Sequence, residues 1–169
     1  MPSVTASDIV LMKVGGGSLT GDAYYSLGAP LIGSLEELFP AVQPAQASSG
    51  YTDYACAVIC NYASGTDGSF VGGRIYFSSQ TSSPKTSIQV AVSGEANVTG
   101  GEFPFSVREA APYELGLTFS SPSSIASAIE LGNIDSGNFT LLYFKRIIEA
   151  GAMALNPDIC TFVITNAVS

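Results

Sequence analysis

The chain has no histidine and no tryptophan, only 3 cysteines, and few charges of either sign. Without histidine there is no Ser-His-Asp triad, no Cys-His pair and no imidazole-bound metal. Three thiols are too few for a four-thiolate zinc site or a full disulfide framework. Lys and Arg number 6 against 14 Asp and Glu, a net charge of −8. No basic stripe of the kind that binds phosphate can be assembled from so few cations, so nucleic acid is not an expected partner. No stretch approaches the roughly 18 apolar residues of a membrane span, so no membrane is expected either. The opening Met1-Pro2-Ser3-Val4-Thr5-Ala6-Ser7-Asp8 carries an acid where a secretory signal carries positive charge, and the apolar run Ile9-Val10-Leu11-Met12 is too short for one. The expectation is synthesis in a cytoplasm, where paired disulfides are rare.

What remains for catalysis is carboxylate, Lys, Tyr or Ser–Lys chemistry. Glu36, Glu37, Glu95, Glu102, Glu109, Glu114, Asp135 and Asp158 are scattered through loop-like sequence, and no spacing sets two of them across a cleft as an acid and base pair. Asp67 and Asp135 lie in turn clusters where their side chains bond to nearby backbone, with a loop calcium site as the sharper alternative. The expectation is a non-enzyme without a cofactor.

Charged residues make up 12% of the 169, against roughly 25% in ordinary soluble domains. A lone globule keeps itself dispersed with mixed surface charge. So charge-poor a chain suggests surface covered by partners, because interface centres are depleted of charge; an extracellular Ser/Thr-rich surface is the alternative.

The pattern along the chain is β. Val4 to Val14 reads as an extended segment, closed by the flexible joint Gly15-Gly16-Gly17-Ser18. Ser34 to Phe39 suggests a helical turn or two, with Ser34 as N-cap and Pro40 as the stop. Pro44 to Gly50 reads as a loop. Tyr54 to Tyr62 is a strand apolar on both faces. Ser64 to Ser69 is a turn with an Asp-Gly signal. Strands are expected at Gly73–Phe77, Ile88–Val92, Leu115–Phe119, Phe139–Ile148 and Ile159–Thr165, with a long Gly- and acid-rich connection from Ser93 to Pro112. Ala126 to Leu131 is a strand or a brief helix. These short strands with turn signals between them predict an all-β fold, an antiparallel Greek-key sandwich of Ig-like or jelly-roll type with an extended N-terminal arm. The expected division is an arm and joint at 1–17 and a single domain at 18–169.

Cys56 and Cys60 fall four apart on one strand, about 13 Å along its rise and beyond disulfide reach of each other. Cys160, on a strand predicted to neighbour theirs, could approach one of them, but buried thiols are the simpler expectation. Lys145 and Arg146 point to opposite faces of their strand. One is expected to clamp an acidic loop and the other to meet a partner.

Several blocks in order carry a resemblance. Thr5-Ala6-Ser7-Asp8-Ile9, Gly15-Gly16-Gly17-Ser18 and Ser26-Leu27-Gly28-Ala29 open it. Tyr54 through Tyr62 and Ile75-Tyr76-Phe77-Ser78-Ser79-Gln80-Thr81 make its middle. Thr118-Phe119-Ser120-Ser121-Pro122, Leu131-Gly132-Asn133-Ile134, Lys145-Arg146 and Ala150-Gly151-Ala152 close it. Together they resemble a family of tailed-bacteriophage virion structural proteins, with Tyr143 where that pattern has Trp and Lys145 where it has Arg.

The resemblance implies a component of the virion, on head or tail. The expectation is a decoration or cement protein that binds across junctions of the major capsid protein or other virion proteins and associates with itself. Ile9, Val10, Leu11 and Met12 would anchor the arm as a strand added to a neighbour's sheet, and Lys145 and Arg146 complete the candidate contact residues. A tail or baseplate component is the second expectation. A carbohydrate-binding or adhesive module, using Tyr24, Tyr25 and Tyr51 against sugar rings, is the third.

Overall fold

A computed structural model describes residues 4–14, 27–30, 38–63, 68–92, 98–99, 116–153 and 160–166. Within these, nine strands form two antiparallel sheets with little helix. This is the all-β sandwich expected from the strand pattern.

The larger sheet, sheet A, runs β2 (Leu27–Pro30), β1 (Ile9–Val14), β3 (Tyr51–Asn61), β8 (Asn138–Ile148) and β5 (Thr86–Val92), with the short β6 (Val98–Thr99) also on β8. Sheet B runs β7 (Ile129–Ile134), β4 (Phe70–Ser79) and β9 (Thr161–Thr165). The inner faces meet in one core. Ala57 and Ile59 of β3, Leu142 and Phe144 of β8, and Ile88 and Val90 of β5 pack against Phe70, Ile75, Phe77, Leu131 and Ile134 of sheet B. In sheet A these positions alternate along each strand because successive side chains point to opposite faces; in sheet B the odd spacings Phe70–Ile75 and Leu131–Ile134 accompany the irregular β4–β7 register.

Sheet A has a second apolar face. Val58, Cys60, Phe139, Leu141 and Tyr143 form a separate buried cluster on its outer side, with Val10, Cys56, Leu117 and Phe119 packed against it. The run Val58-Ile59-Cys60 is therefore buried on both faces, as its unbroken apolarity predicts. Ala91 of β5, opposite Tyr143 in the β5–β8 register, is buried as well.

Several local expectations are corrected. The N-terminal segment is not held out as an arm. Thr5 starts a 3₁₀ turn at Ala6–Asp8, where the Asp8 carboxylate accepts from the Thr5 N–H (2.7 Å) and hydroxyl (2.6 Å). β1 then pairs with β3 from Ile9↔Asn61 to Lys13↔Ala57 and with β2 on its other side. The joint at 15–17 lies outside the described residues, as does Ser34.

The segment expected as a loop is helix α1 (Pro44–Ser49). Pro44 sits where a missing N–H costs nothing, and the Gln46 side chain accepts the Gln43 N–H at 2.8 Å. Gly50 follows at φ 82, a left-handed conformation that ends the helix without side-chain strain. Leu117–Phe119, expected as a strand, has no ladder; Gly116 turns the chain at φ 65, and only Ser120 forms a bridge, to Val90. Within the long connection from Ser93 to Pro112, β6 pairs with Phe139 and Asn138.

Candidate functional site

The candidate contact residues divide between the two faces of sheet A. Ile9 and Leu11 are partly buried against the inner core, while Val10 packs on the outer cluster. Met12 is in backbone register with Val58 and Pro30, and its side chain lies outside the described part. All four backbones belong to a strand already paired on both sides. The structure therefore assigns these residues to the chain's own sheet, and donation to a neighbour would require β1 to leave it.

Arg146 and Lys145 part as their alternation predicts, and Arg146 is fully engaged within the fold. In the β3–β8 register it stands opposite Asp53. Its Nε donates to Asp53 Oδ1 at 3.0 Å and one terminal nitrogen donates to Oδ2 at 2.6 Å, a two-pronged pair. The same nitrogen donates to the Pro40 carbonyl at 2.8 Å, and the guanidinium lies 4.7 Å from the ring centre of Phe39. The planar fork fits a carboxylate and an aromatic face together, which a lysine at this position does not reproduce. Arg146 is thus a clamp inside the molecule and not a partner contact, and the acid that it holds is on a strand rather than in a loop. Pro40 and Phe39 explain the site's burial, and neither signals from sequence that it would meet residue 146.

Lys145, on the outer face, is half-buried with its ammonium 5.8 Å from the ring centre of Phe119. Phe119 in turn tilts against Tyr54, ring centres 5.7 Å apart. Two further cations are engaged: Arg74 with Glu130 at 3.4 Å on sheet B, and Lys85 with the Ala150 carbonyl at 3.0 Å; the Lys13 side chain lies outside the described part.

One end of the sandwich is tied by a polar junction. Asn61, buried at the end of β3, donates to the Ile134 carbonyl at 2.8 Å and to that of Gly68, and its Oδ1 accepts the Ala63 N–H at 3.0 Å. Ser69 donates to Asp135 at 2.6 Å, and Ser136 donates to the Ala63 carbonyl. The β3–β4 connection is thereby stitched to the β7–β8 turn. Asp135 is used in that stitching, Asp67 lies outside the described residues, and no group of three His, Cys, Asp or Glu able to hold a metal occurs among those described.

Cys56 and Cys60 share the outer face of sheet A, while Cys160 sits in the inner core with its thiol against the Ser79 carbonyl at 3.3 Å. The alternative, an approach of Cys160 to one of the other two, is ruled out by the sheet between them, and all three thiols are free as the simpler expectation has it. Burial pushes the Cys56 thiol up, and pushes the Cys60 thiol from 9.0 to about 11 against a hydrogen bond with Tyr62 that works the other way. Thiols held protonated in this way are poor nucleophiles and poor metal ligands. Tyr51 is 40% exposed at the start of β3; Tyr24 and Tyr25 lie outside the described residues.

No buried side-chain nitrogen or oxygen among the described residues lacks a partner. No helix among them is long and apolar enough to cross a membrane. No family model, curated protein or solved structure matches the chain.

Proposed function

We infer that the chain is a structural component of a bacteriophage particle, a decoration or cement protein that stabilises the head by binding across capsid subunit junctions. The observation that carries this reading is how the few charges are used. Only 12% of residues are charged, and the four cations whose side chains are described, Arg74, Lys85, Lys145 and Arg146, are engaged within the chain. What such a molecule offers a partner is uncharged strand and loop surface, which suits burial against a protein lattice. The ordered sequence blocks that resemble phage virion proteins support the same reading.

With β1 held inside its own sheet, contact with the shell would be made by surfaces of a folded domain. Weak single contacts would then sum over many copies on one lattice. The acidic excess would keep decorated particles apart in solution.

The test is to locate the protein in purified particles of the phage that encodes it, by mass spectrometry and labelled antibody. It is then added to shells stripped of it. Stoichiometric presence on heads, with a raised melting temperature of refilled shells, is the expected result. Presence on tails alone would move the protein to the tail or baseplate. Absence from particles, with binding to a glycan array, would replace the reading with an adhesive module.

A further inference from the structure

An edge strand presents unpaired N–H and C=O groups that can recruit another chain, and folds usually blunt them. The edges here are treated unequally. On β5, the Gln80 side chain accepts the Ile88 N–H at 3.0 Å and donates to the Ile88 carbonyl at 3.1 Å, while Ser120 exchanges two backbone bonds with Val90 at 2.8 and 3.1 Å. Ser121 adds a bond to the Ile88 carbonyl at 2.7 Å. On β7, exposed Glu130, the left-handed Gly132 and two register irregularities against β4 break the edge.

β9 has none of these devices. Thr161-Phe162-Val163-Ile164-Thr165 contains no charge, proline or glycine, and among the described residues nothing hydrogen-bonds to its outer side. The register shows which groups face out. Phe77 donates its N–H to Pro122 on the β7 side of β4. Alternation therefore turns Arg74 and Tyr76 toward β9, and their partners Thr165 and Val163 turn inward to meet them. Phe162 and Ile164 are left with N–H and C=O directed away from the sheet. Their side chains lie against the core but are only partly buried.

The strand also reads almost alike in both directions. We propose that β9 is a self-association edge, pairing antiparallel with β9 of a second copy about a two-fold axis at Val163. Thr161 then stands opposite Thr165 of the second copy, and Phe162 opposite its Ile164. Phe162 and Ile164 exchange both backbone bonds across the axis, so all outward groups of both strands are satisfied. Val163 meets its own counterpart as a close pair without hydrogen bonds between them, the isologous geometry of a two-fold interface. Sheet B becomes one continuous sheet across both copies, and the exposed remainder of Phe162 and Ile164 is covered. The strand itself brings no acid to the joint, so the net charge of −8 on each copy is not opposed there at close range. This inference stands independently of the particle reading.

Sedimentation of the full chain over a concentration series tests it, together with hydrogen exchange at single amides. The expected result is a reversible shift from 17.4 kDa to twice that mass, with the Phe162 and Ile164 amides losing protection on dilution while Val163 and Thr165 keep theirs. Val163→Lys sets two ammonium groups face to face on the outer surface of the joint, and should weaken association about tenfold or more without unfolding the domain. Val163→Glu should do the same, and an equimolar mixture of the two variants should restore the dimer. A wild-type chain that stays monomeric up to about 1 mM, with exchange at Phe162 and Ile164 independent of concentration, would overturn the proposal. So would a folded Val163→Lys variant that dimerises as the wild type does. If that variant does not fold, the exchange measurement on the unmodified chain decides.

Discussion

The two sheets are built from the same residue types but are finished differently. Sheet A is apolar on both faces around Val58, Ile59, Leu141 and Leu142, and its β5 edge is plugged by Gln80 and Ser120. Sheet B is apolar on its inner face alone; Tyr76 is half-buried on the other, and the β9 edge has no described partner. The two ion pairs among the described residues repeat the contrast. Arg146–Asp53 lies in sheet A with both side chains about one-tenth exposed, whereas Arg74–Glu130 on sheet B is 36% and 78% exposed at 3.4 Å. Among the described residues, sheet A is covered on both faces, and sheet B leaves more of its outer face and one edge open.

Mutations can break or sharpen this contrast. The largest effect is expected at the buried clamp. Arg146→Ala leaves the Asp53 carboxylate buried without its counter-ion and should cost about 3–5 kcal/mol in urea unfolding. A double replacement by apolar residues, Asp53→Leu with Arg146→Met, should recover a large part of that loss, since burying an ion pair gains little over packing carbon.

Next come the faces. Leu141→Ala and Leu142→Ala remove neighbouring side chains on opposite sides of β8, and each should cost about 2–5 kcal/mol because both sides are core. On sheet B the matching pair should separate: Ile75→Ala costs about 2–5 kcal/mol, while Tyr76→Ala costs clearly less. Equal costs at residues 75 and 76 would mean that the outer face of sheet B is covered after all.

A smaller effect depends on pH. The folded-state value of the Cys60 thiol, about 11, lies above its ordinary 9.0. Between those values the folded chain holds more protons than the unfolded one, so this contribution is complete below about pH 9 and is lost as pH rises through 11. Burial pushes Cys56 in the same direction. Stability of the wild type should therefore fall across that window, and Cys56→Ala with Cys60→Ala should flatten the slope. The smallest change is at the exposed pair. Arg74→Ala should alter stability by no more than about 0.5 kcal/mol, and high salt should erase what there is.

Much of sheet A was legible because its signal is carbon. The runs from Tyr54 to Tyr62 and Phe139 to Ile148 are too apolar to face water on either side, and both proved to be central strands. The opposite directions of Lys145 and Arg146 followed from strand periodicity alone. The engagement of Arg146 was harder to read, because Asp53, Pro40 and Phe39 come together only through the β3–β8 pairing. The sequence of β1 reads as a strand but not as one of this sheet, since an apolar run does not say whose edge it joins. Helix α1 is not legible because Pro and Ser weigh toward a loop in composition, whereas at a helix start and end they are compatible with a short helix. Leu117 and Phe119 suggest a strand by their apolarity; they serve as cover for the outer cluster, which asks for the same residue types without a ladder.

The pairing at the centre of sheet A also sets the order in which the molecule can be made. Tyr51 lies opposite Ile148 and Cys60 opposite Phe139, partners about 80 to 100 positions apart in the chain. During synthesis β3 leaves the ribosome long before β8, the strand that completes it. For that interval Ala55-Cys56-Ala57-Val58-Ile59-Cys60, uncharged and without proline, has neither its main ladder partner nor either of its two cores. Such a segment is prone to associate with other chains. The deep burial of sheet A in the folded chain therefore goes with a delay in its formation: β3 cannot complete its ladder until β8 has been translated.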